Sequence, residues 1–146
     1  MTDWKSMLLD DPKDWPQEVV VQLEGAHEDA RGYIQPLCDL PMKSASMIFS
    51  KKGTVRANHF HHTDWHYCYV VSGRIEYSHR PVNSEEPPEV VEIEQGAMFF
   101  TPPMVEHAMV FPEDTLFLTL SRNPRDQASY EADVERVELV PPPKSE

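Results

Sequence analysis

Apolar and β-branched positions along this chain fall in short blocks, not long stripes. Blocks at residues 19–23, 46–50, 66–71, 74–79, 90–94, 97–100, 107–111 and 115–120 are each strand-sized and bounded by proline, glycine or polar residues. Two of them alternate cleanly. Ile75, Tyr77 and His79 fall opposite Glu76 and Ser78, and Leu116, Leu118 and Leu120 fall opposite Phe117 and Thr119, which is the period-two pattern of half-buried antiparallel strands. Eight or more such strands at regular spacing predict a β-sandwich or closed barrel. Only two segments read as helical, residues 4–9 and 128–136. In the second, Ser129 leads to Glu131 and Asp133 in the first turns and Arg136 near the end, which suits the helix dipole. Fourteen prolines against five glycines exclude long helices almost everywhere else.

Length and charge narrow this picture. The 146 residues carry 13 basic and 25 acidic side chains, a formal net charge of −12. The length suits one domain over residues 1–146, with a barrel core at about residues 17–121 and a helix and frayed tail over 122–146. The acidic balance argues against a nucleic-acid partner, since the densest basic group is Lys51, Lys52 and Arg56. The same sign disfavours anionic membrane surfaces. The longest apolar runs are too short to span a bilayer, and the N-terminus lacks the basic start and apolar middle of a secretory signal, so a cytoplasmic location is expected. Cys38 and Cys68 lie far apart without a CxxC spacing and read as reduced, packed thiols.

Candidate chemistry is concentrated in the histidines. Four of the seven, His59, His61, His62 and His66, fall within eight residues. On a strand, residues two apart share a face, so His59 and His61 present two imidazoles side by side, as a β scaffold offers nitrogen ligands to one metal. His66 has the opposite parity and can join them only if Thr63-Asp64 makes a turn or bulge before a new strand. Burying three imidazoles without a shared partner is expensive, and a divalent cation accepts all their lone pairs. His62 points to the outer face on this reading, solvent-exposed or supporting the site from behind.

These residues carry a resemblance. Gly53, five residues, His59-Phe60-His61, four residues, His66, six residues and Gly73 is similar to the first motif of the cupin superfamily, with His66 where the family has glutamate. Gly96, five residues, Pro102 and then Glu106-His107 resembles the second motif, with Met104 in place of the family's glycine and Phe111 in place of its closing asparagine. The resemblance implies an all-β fold, a small jelly-roll barrel of the RmlC-like type with short terminal helices. It also implies one divalent transition metal (Fe, Mn, Ni, Cu or Zn) held by His59, His61, His66 and His107. Replacing the glutamate leaves four neutral imidazoles and the cation's full charge. An octahedral ion keeps open positions for a ligand, whereas a tetrahedral zinc is saturated.

Other residues lie within reach of that site. Met109 and Phe111 share parity with His107 and read as pocket walls or as plain core, and Cys68 shares parity with His66. Arg56, Arg74 and Arg31 are candidates for a carboxylate or phosphate ligand, or are surface charges. Residues 30–34, Ala-Arg-Gly-Tyr-Ile, weakly resemble the Arg-Gly element of the sugar-nucleotide epimerases and ketoisomerases of this class, which work without a metal. Two functions are therefore carried forward. One is a metalloenzyme acting on a small oxygenated metabolite, of dioxygenase or carbohydrate isomerase/epimerase type. The other is a non-catalytic metal- and ligand-binding module or sensor. In either case a small-molecule ligand and a homodimer joined through exposed strand edges are expected.

Overall fold

A computed structural model describes residues 9–141. After a 3-10 turn at Pro12–Asp14, the strands run in the order β1 (Val20–Val21), β2 (His27–Asp29), β3 (Gly32–Ile34), β4 (Ser44–Ser50), β5 (Val55–His61), β6 (His66–Ser72), β7 (Arg74–Pro81), β8 (Glu89–Glu94), β9 (Met98–Thr101), β10 (Val105–Val110) and β11 (Thr115–Ser121). A helix α1 (Gln127–Asp133) and a last strand β12 (Val134–Arg136) follow. Two antiparallel five-stranded sheets, ordered β1-β9-β6-β11-β4 and β12-β5-β10-β7-β8, face each other as a jelly roll. A separate hairpin pairs β2 with β3.

The eight apolar blocks all fall on strands, though only Val20–Val21 of the first is paired. Among the described residues no helix is long and apolar enough to cross a membrane. The helix expected over residues 4–9 and the tail expected after Pro141 lie outside the described residues, apart from Leu9 and Pro141 themselves. The helix expected over 128–136 is corrected. It starts one residue earlier, on an Asp126 cap whose carboxylate accepts the Ser129 N–H, and stops at Asp133. Val134, Glu135 and Arg136 are drawn off into a strand paired with His61, Phe60 and His59 of β5.

The sheets bury Val70, Ile75, Ile93, Phe99, Phe111 and Phe117 between them. On β11 the inward face is Thr115, Phe117, Thr119 and Ser121, while Leu116, Leu118 and Leu120 are only half-buried on the other side. The outer face of β4, an edge strand, exposes Met47 and Phe49. The β6–β7 turn depends on Gly73, whose φ is +89° and where a Cβ would meet Thr115 Oγ1 at 2.4 Å and the Asp114 carbonyl oxygen at 2.5 Å.

Candidate functional site

Strand β5 is irregular where the site begins. Its pairing with β10 matches His59 to His107 and Ala57 to Ala108, leaving Asn58 as an extra residue. Both Ala57 and Asn58 have positive φ, a bulge of the kind that re-aims side chains. Asn58 is then fixed from behind, its Oδ1 accepting the N–H groups of Leu139 and Val140 and its Nδ2 donating to the Val140 carbonyl. Past the bulge His59 and His61 project together, with ring centroids 4.8 Å apart, and His107 on β10 stands 4.8 Å from His59. Residues 62–65 make the expected break, and β6 starts at His66, 5.6 Å from His61 and 5.5 Å from His107. All four histidines are buried.

These side chains form two overlapping groups. The ligand atoms of His59, His61 and His107 lie within 4.8 Å of one another, and so do those of His61, Asp64 and His66. His66 therefore adjoins the first three through His61, and Asp64 enters the site without having been expected there. The imidazoles line a cavity of about 190 Å³ that also reaches Ile48, Cys68, Met109, Phe117 and Thr119.

Burial dominates the electrostatics. It holds the His59 ring down at about 2 and the His107 ring at about 4, and His61 and His66 are lowered by the same cause, so the four are neutral with lone pairs available. His61 stays lowered although it touches a carboxylate. Asp133, at the end of α1, accepts from His61 Nδ1 at 3.2 Å, from the Thr63 N–H and hydroxyl at 2.8 and 2.6 Å, and from the Asp64 N–H at 3.0 Å. Burial pushes the Asp133 carboxyl up, but the Thr63 and Asp64 hydrogen bonds outweigh it and the group is held below the usual carboxylate range. Burial raises Asp64 to about 6. His107 Nδ1 donates to the Val105 carbonyl at 3.1 Å, while its Nε2 is buried without a partner. The Tyr130 hydroxyl of α1 lies 3.4 Å from His59 Nδ1.

The remaining expected residues divide. Met109, Cys68 and Arg56 line the cavity. Phe111 does not; it stacks on Phe117 in the core, fully buried, because β10 has by then run past the cavity floor. Burial pushes the Cys68 thiol up to about 12, so at neutral pH it is a protonated neighbour of the site, and it lies within 3.5 Å of Thr119 Oγ1. His62 faces outward, half-exposed, 3.2 Å from Glu135. Arg74 is ion-paired with Glu92 and Glu113. Arg31 pairs with Asp29 on the exposed β2–β3 hairpin, so the weak Arg-Gly resemblance falls outside the cavity. Sequence reasoning missed Asp64, Tyr130, Asp133 and Arg125. The last three come from a segment with no spacing relation to the histidines.

A sequence profile for the cupin domain matches residues 46–121, more than half of the chain. No curated protein matches the sequence. Among solved structures, the sugar 3,4-ketoisomerase QdtA of Thermoanaerobacterium thermosaccharolyticum, a double mutant in complex with TDP, is similar with TM-score 0.65 and 19% identity over 80% of this chain and 85% of its own. The dTDP-4-dehydrorhamnose 3,5-epimerase of Sulfolobus tokodaii is similar at TM-score 0.58 and 20% identity, over 70% of this chain and 69% of its own. The capsular polysaccharide assembling protein CapF of Staphylococcus aureus is similar at TM-score 0.58 and 21% identity, over 81% of this chain but 34% of its own. The profile match and the shared jelly roll agree, and the chain belongs to the cupins.

Proposed function

We propose that the histidine cup is a divalent-metal centre and that the protein is an isomerase or epimerase acting on a small oxygenated carbonyl compound. One observation carries the metal. The Nδ1 atoms of His61 and His107 are committed as donors to Asp133 and to the Val105 carbonyl, which leaves Nε2 of each as a lone-pair donor, and His107 Nε2 is buried with no partner. Buried polar atoms without partners are rare and costly, and imidazoles held from behind in one tautomer are how proteins present nitrogen to a metal. The residues present therefore fit a transition-metal ion, with His59, His61 and His107 as its closest set and His66 or Asp64 completing it.

When bound, such an ion polarises a carbonyl or hydroxyl oxygen. The chain's own part is to exclude water with Met109, Ile48 and Phe117 around the cup and to keep a proton beside it. Tyr130 suits the second task, because burial raises its hydroxyl and keeps it protonated next to His59. The choice of isomerisation over dioxygen chemistry is supported by the neighbours, which include a 3,4-ketoisomerase and a 3,5-epimerase. Both of those reactions exchange a hydrogen on carbon next to a carbonyl.

The test has two arms. Elemental mass spectrometry of protein purified without a metal-binding tag should find close to one transition metal per chain, lost in His61→Ala and His107→Ala. Incubation of the loaded protein with TDP-4-keto-6-deoxyglucose and simpler keto sugars in deuterium oxide should then place deuterium beside the carbonyl. Metal content unchanged in the alanine variants overturns the centre. One bound zinc with no deuterium exchange on any substrate moves the reading to a binding module or sensor.

A further inference from the structure

Residues 61–66 and 121–123 divide their side chains between two cavities. His61, Asp64 and His66, with Ser121 and Asn123, line the histidine cavity. His62, Thr63 and Trp65, with Arg122, line a second one of about 440 Å³ that is completed by Asp10, Trp15, Pro103 and Met104. The two share no lining residue. Between them stands a partition one backbone thick. It is fastened by the Arg122 N–H to the Trp65 carbonyl at 3.0 Å, the Asn123 N–H to Asp64 Oδ1 at 2.9 Å and the Met104 N–H to the His61 carbonyl at 2.8 Å.

Nearly every polar group of the second cavity is already engaged. Arg122 Nε donates to Asp10 Oδ1 at 2.6 Å, which cancels its charge, and Arg122 Nη1 donates to Asn123 Oδ1 at 2.8 Å. The Thr63 hydroxyl donates to Asp133 and accepts from Asn123 Nδ2, and His62 lies 3.2 Å from Glu135. Even the neighbouring indole is satisfied, Trp15 Nε1 donating to the Leu9 carbonyl at 2.6 Å. Trp65 is the exception. Its side chain is fully buried and its Nε1 has no hydrogen-bond partner among the described residues.

That leftover group defines the complement. An indole N–H only donates, so its partner must be an acceptor. A single donor among apolar walls offers a water molecule one partner where it needs two to four. Two indoles, Pro103 and the Met104 thioether favour a flat, polarisable ring. With Arg122 and Asp10 neutralising each other, an ionic ligand would lose its hydration for no counter-charge. We infer that this cavity is a second ligand site, for an uncharged aromatic compound whose carbonyl oxygen accepts from Trp65 Nε1. The inference is independent of the metal centre, from which the ligand is separated by the partition that carries His61 and Asp64.

Nuclear magnetic resonance of the ¹⁵N-labelled full chain tests it. The three tryptophans give three indole N–H signals, assigned by single Trp→Phe variants. The probes are acetophenone, ethylbenzene, which has nearly the same shape without the oxygen, and benzoate, which adds a charge. Acetophenone should move the Trp65 indole proton downfield and saturably, together with the Thr63 and Arg122 amides. It should bind roughly three- to ten-fold more tightly than ethylbenzene, the weight of one neutral hydrogen bond, and more tightly than benzoate. Trp65→Phe keeps a ring in place but removes the donor, and should abolish the preference over ethylbenzene. Met104→Asn takes away an apolar wall at a position that is 43% exposed and left-handed, a conformation asparagine tolerates, and should weaken both neutral probes several-fold. Equal affinity for the two neutral probes, tighter binding of benzoate, no saturable shift of the Trp65 indole at millimolar acetophenone, or a preference that survives in Trp65→Phe overturns the site. If Trp65→Phe does not fold, the indole shift and Met104→Asn decide, and unchanged affinity in Met104→Asn overturns it.

Discussion

The two ends of the jelly roll are built from the same strands and do opposite things. At the closed end β6, β10 and β11 contribute Val70, Met109 and Phe117 to an apolar cluster completed by Ile75, Ile93, Phe99 and Phe111, with Met109 and Phe117 at its border with the cavity. A few residues away the same three strands contribute His66, His107, Thr119 and Ser121 to the cavity. Side chains at the closed end lose water and gain close packing, which is where the fold's stability comes from. Those at the open end lose water and gain no full set of partners, as the orphaned His107 Nε2 shows. A site of that kind is held in place by the rest of the barrel.

The contrast predicts opposite responses to the same kind of truncation. Phe99→Ala empties a fully buried ring position away from the cavity and should cost about 4 kcal/mol in urea denaturation, with metal content unchanged in whatever fraction remains folded. His107→Ala should cost the metal-free protein less than half of that, because the unpartnered nitrogen leaves with the ring, and should abolish metal binding. Equal stability losses at the two positions would remove the distinction between the ends.

Acid separates the ends next. Burial lowers His107 from 6.5 to about 4 in the fold, so the folded state keeps this ring neutral while the unfolded chain takes up a proton. A depressed folded value gives stability that is complete above pH 6.5 and is lost as pH falls toward the folded value. From this group alone the metal-free protein should lose about 3 kcal/mol between pH 6.5 and pH 4, and His59 and His61, also lowered, should deepen the loss. The closed-end cluster consists of Cys68, Tyr77 and groups that do not titrate, and both Cys68 and Tyr77 are pushed up out of this range. Chemical denaturation of His107→Leu across this pH range should therefore show a visibly shallower acid slope. A slope identical to that of the unsubstituted protein would place the acid sensitivity elsewhere.

A third effect, of intermediate size, concerns the support behind the open end. The Asp133 carboxylate gathers four donors from His61, Thr63 and Asp64. Asp133→Asn keeps the shape but removes the charge and turns one acceptor into a donor. Metal affinity, measured by competition with a chelator, should fall roughly ten- to hundred-fold, while the closed-end packing, followed by near-ultraviolet circular dichroism, stays as it was. Unchanged affinity would reduce Asp133 to a loop anchor.

How far the sequence could be read follows the same division. Strands of the barrel announce themselves because each is a local alternation of residue types, and β4, β6, β7 and β11 begin within two residues of the expected positions. The histidine spacing is likewise local, so His59, His61 and the turn before His66 could be inferred from period two and a Thr-Asp pair. The behaviour of residues 127–136 could not. Glu131, Asp133 and Arg136 suit a helix on local grounds, but the helix ends where the Asp133 side chain turns to the Thr63–Asp64 turn and the backbone pairs with β5, contacts some 70 residues away in sequence. Tyr130 and Arg125 arrive at the cavity by the same route. Phe111 was ambiguous by parity, because parity says which face a side chain takes and not how far along the barrel axis it sits.

The smallest predicted effect lies just before His107, where the second cupin motif departs from the family's glycine. Met104 has φ +60° and its N–H donates to the His61 carbonyl at 2.8 Å, so it joins the β9–β10 turn to the metal-facing strand in a left-handed conformation. A non-glycine residue there carries about 1 kcal/mol of backbone strain. The Met104 side chain is 43% exposed, so removing it forfeits little packing. Met104→Gly should therefore raise stability, by somewhat less than 1 kcal/mol once the extra freedom of glycine in the unfolded chain is set against the relief, and thermal denaturation of the metal-free protein can resolve a shift of that sign. Metal content should not change, since the hydrogen bond to His61 comes from the backbone. A loss of stability would mean that the Met104 side chain contributes more to closing this end of the barrel than its exposure indicates.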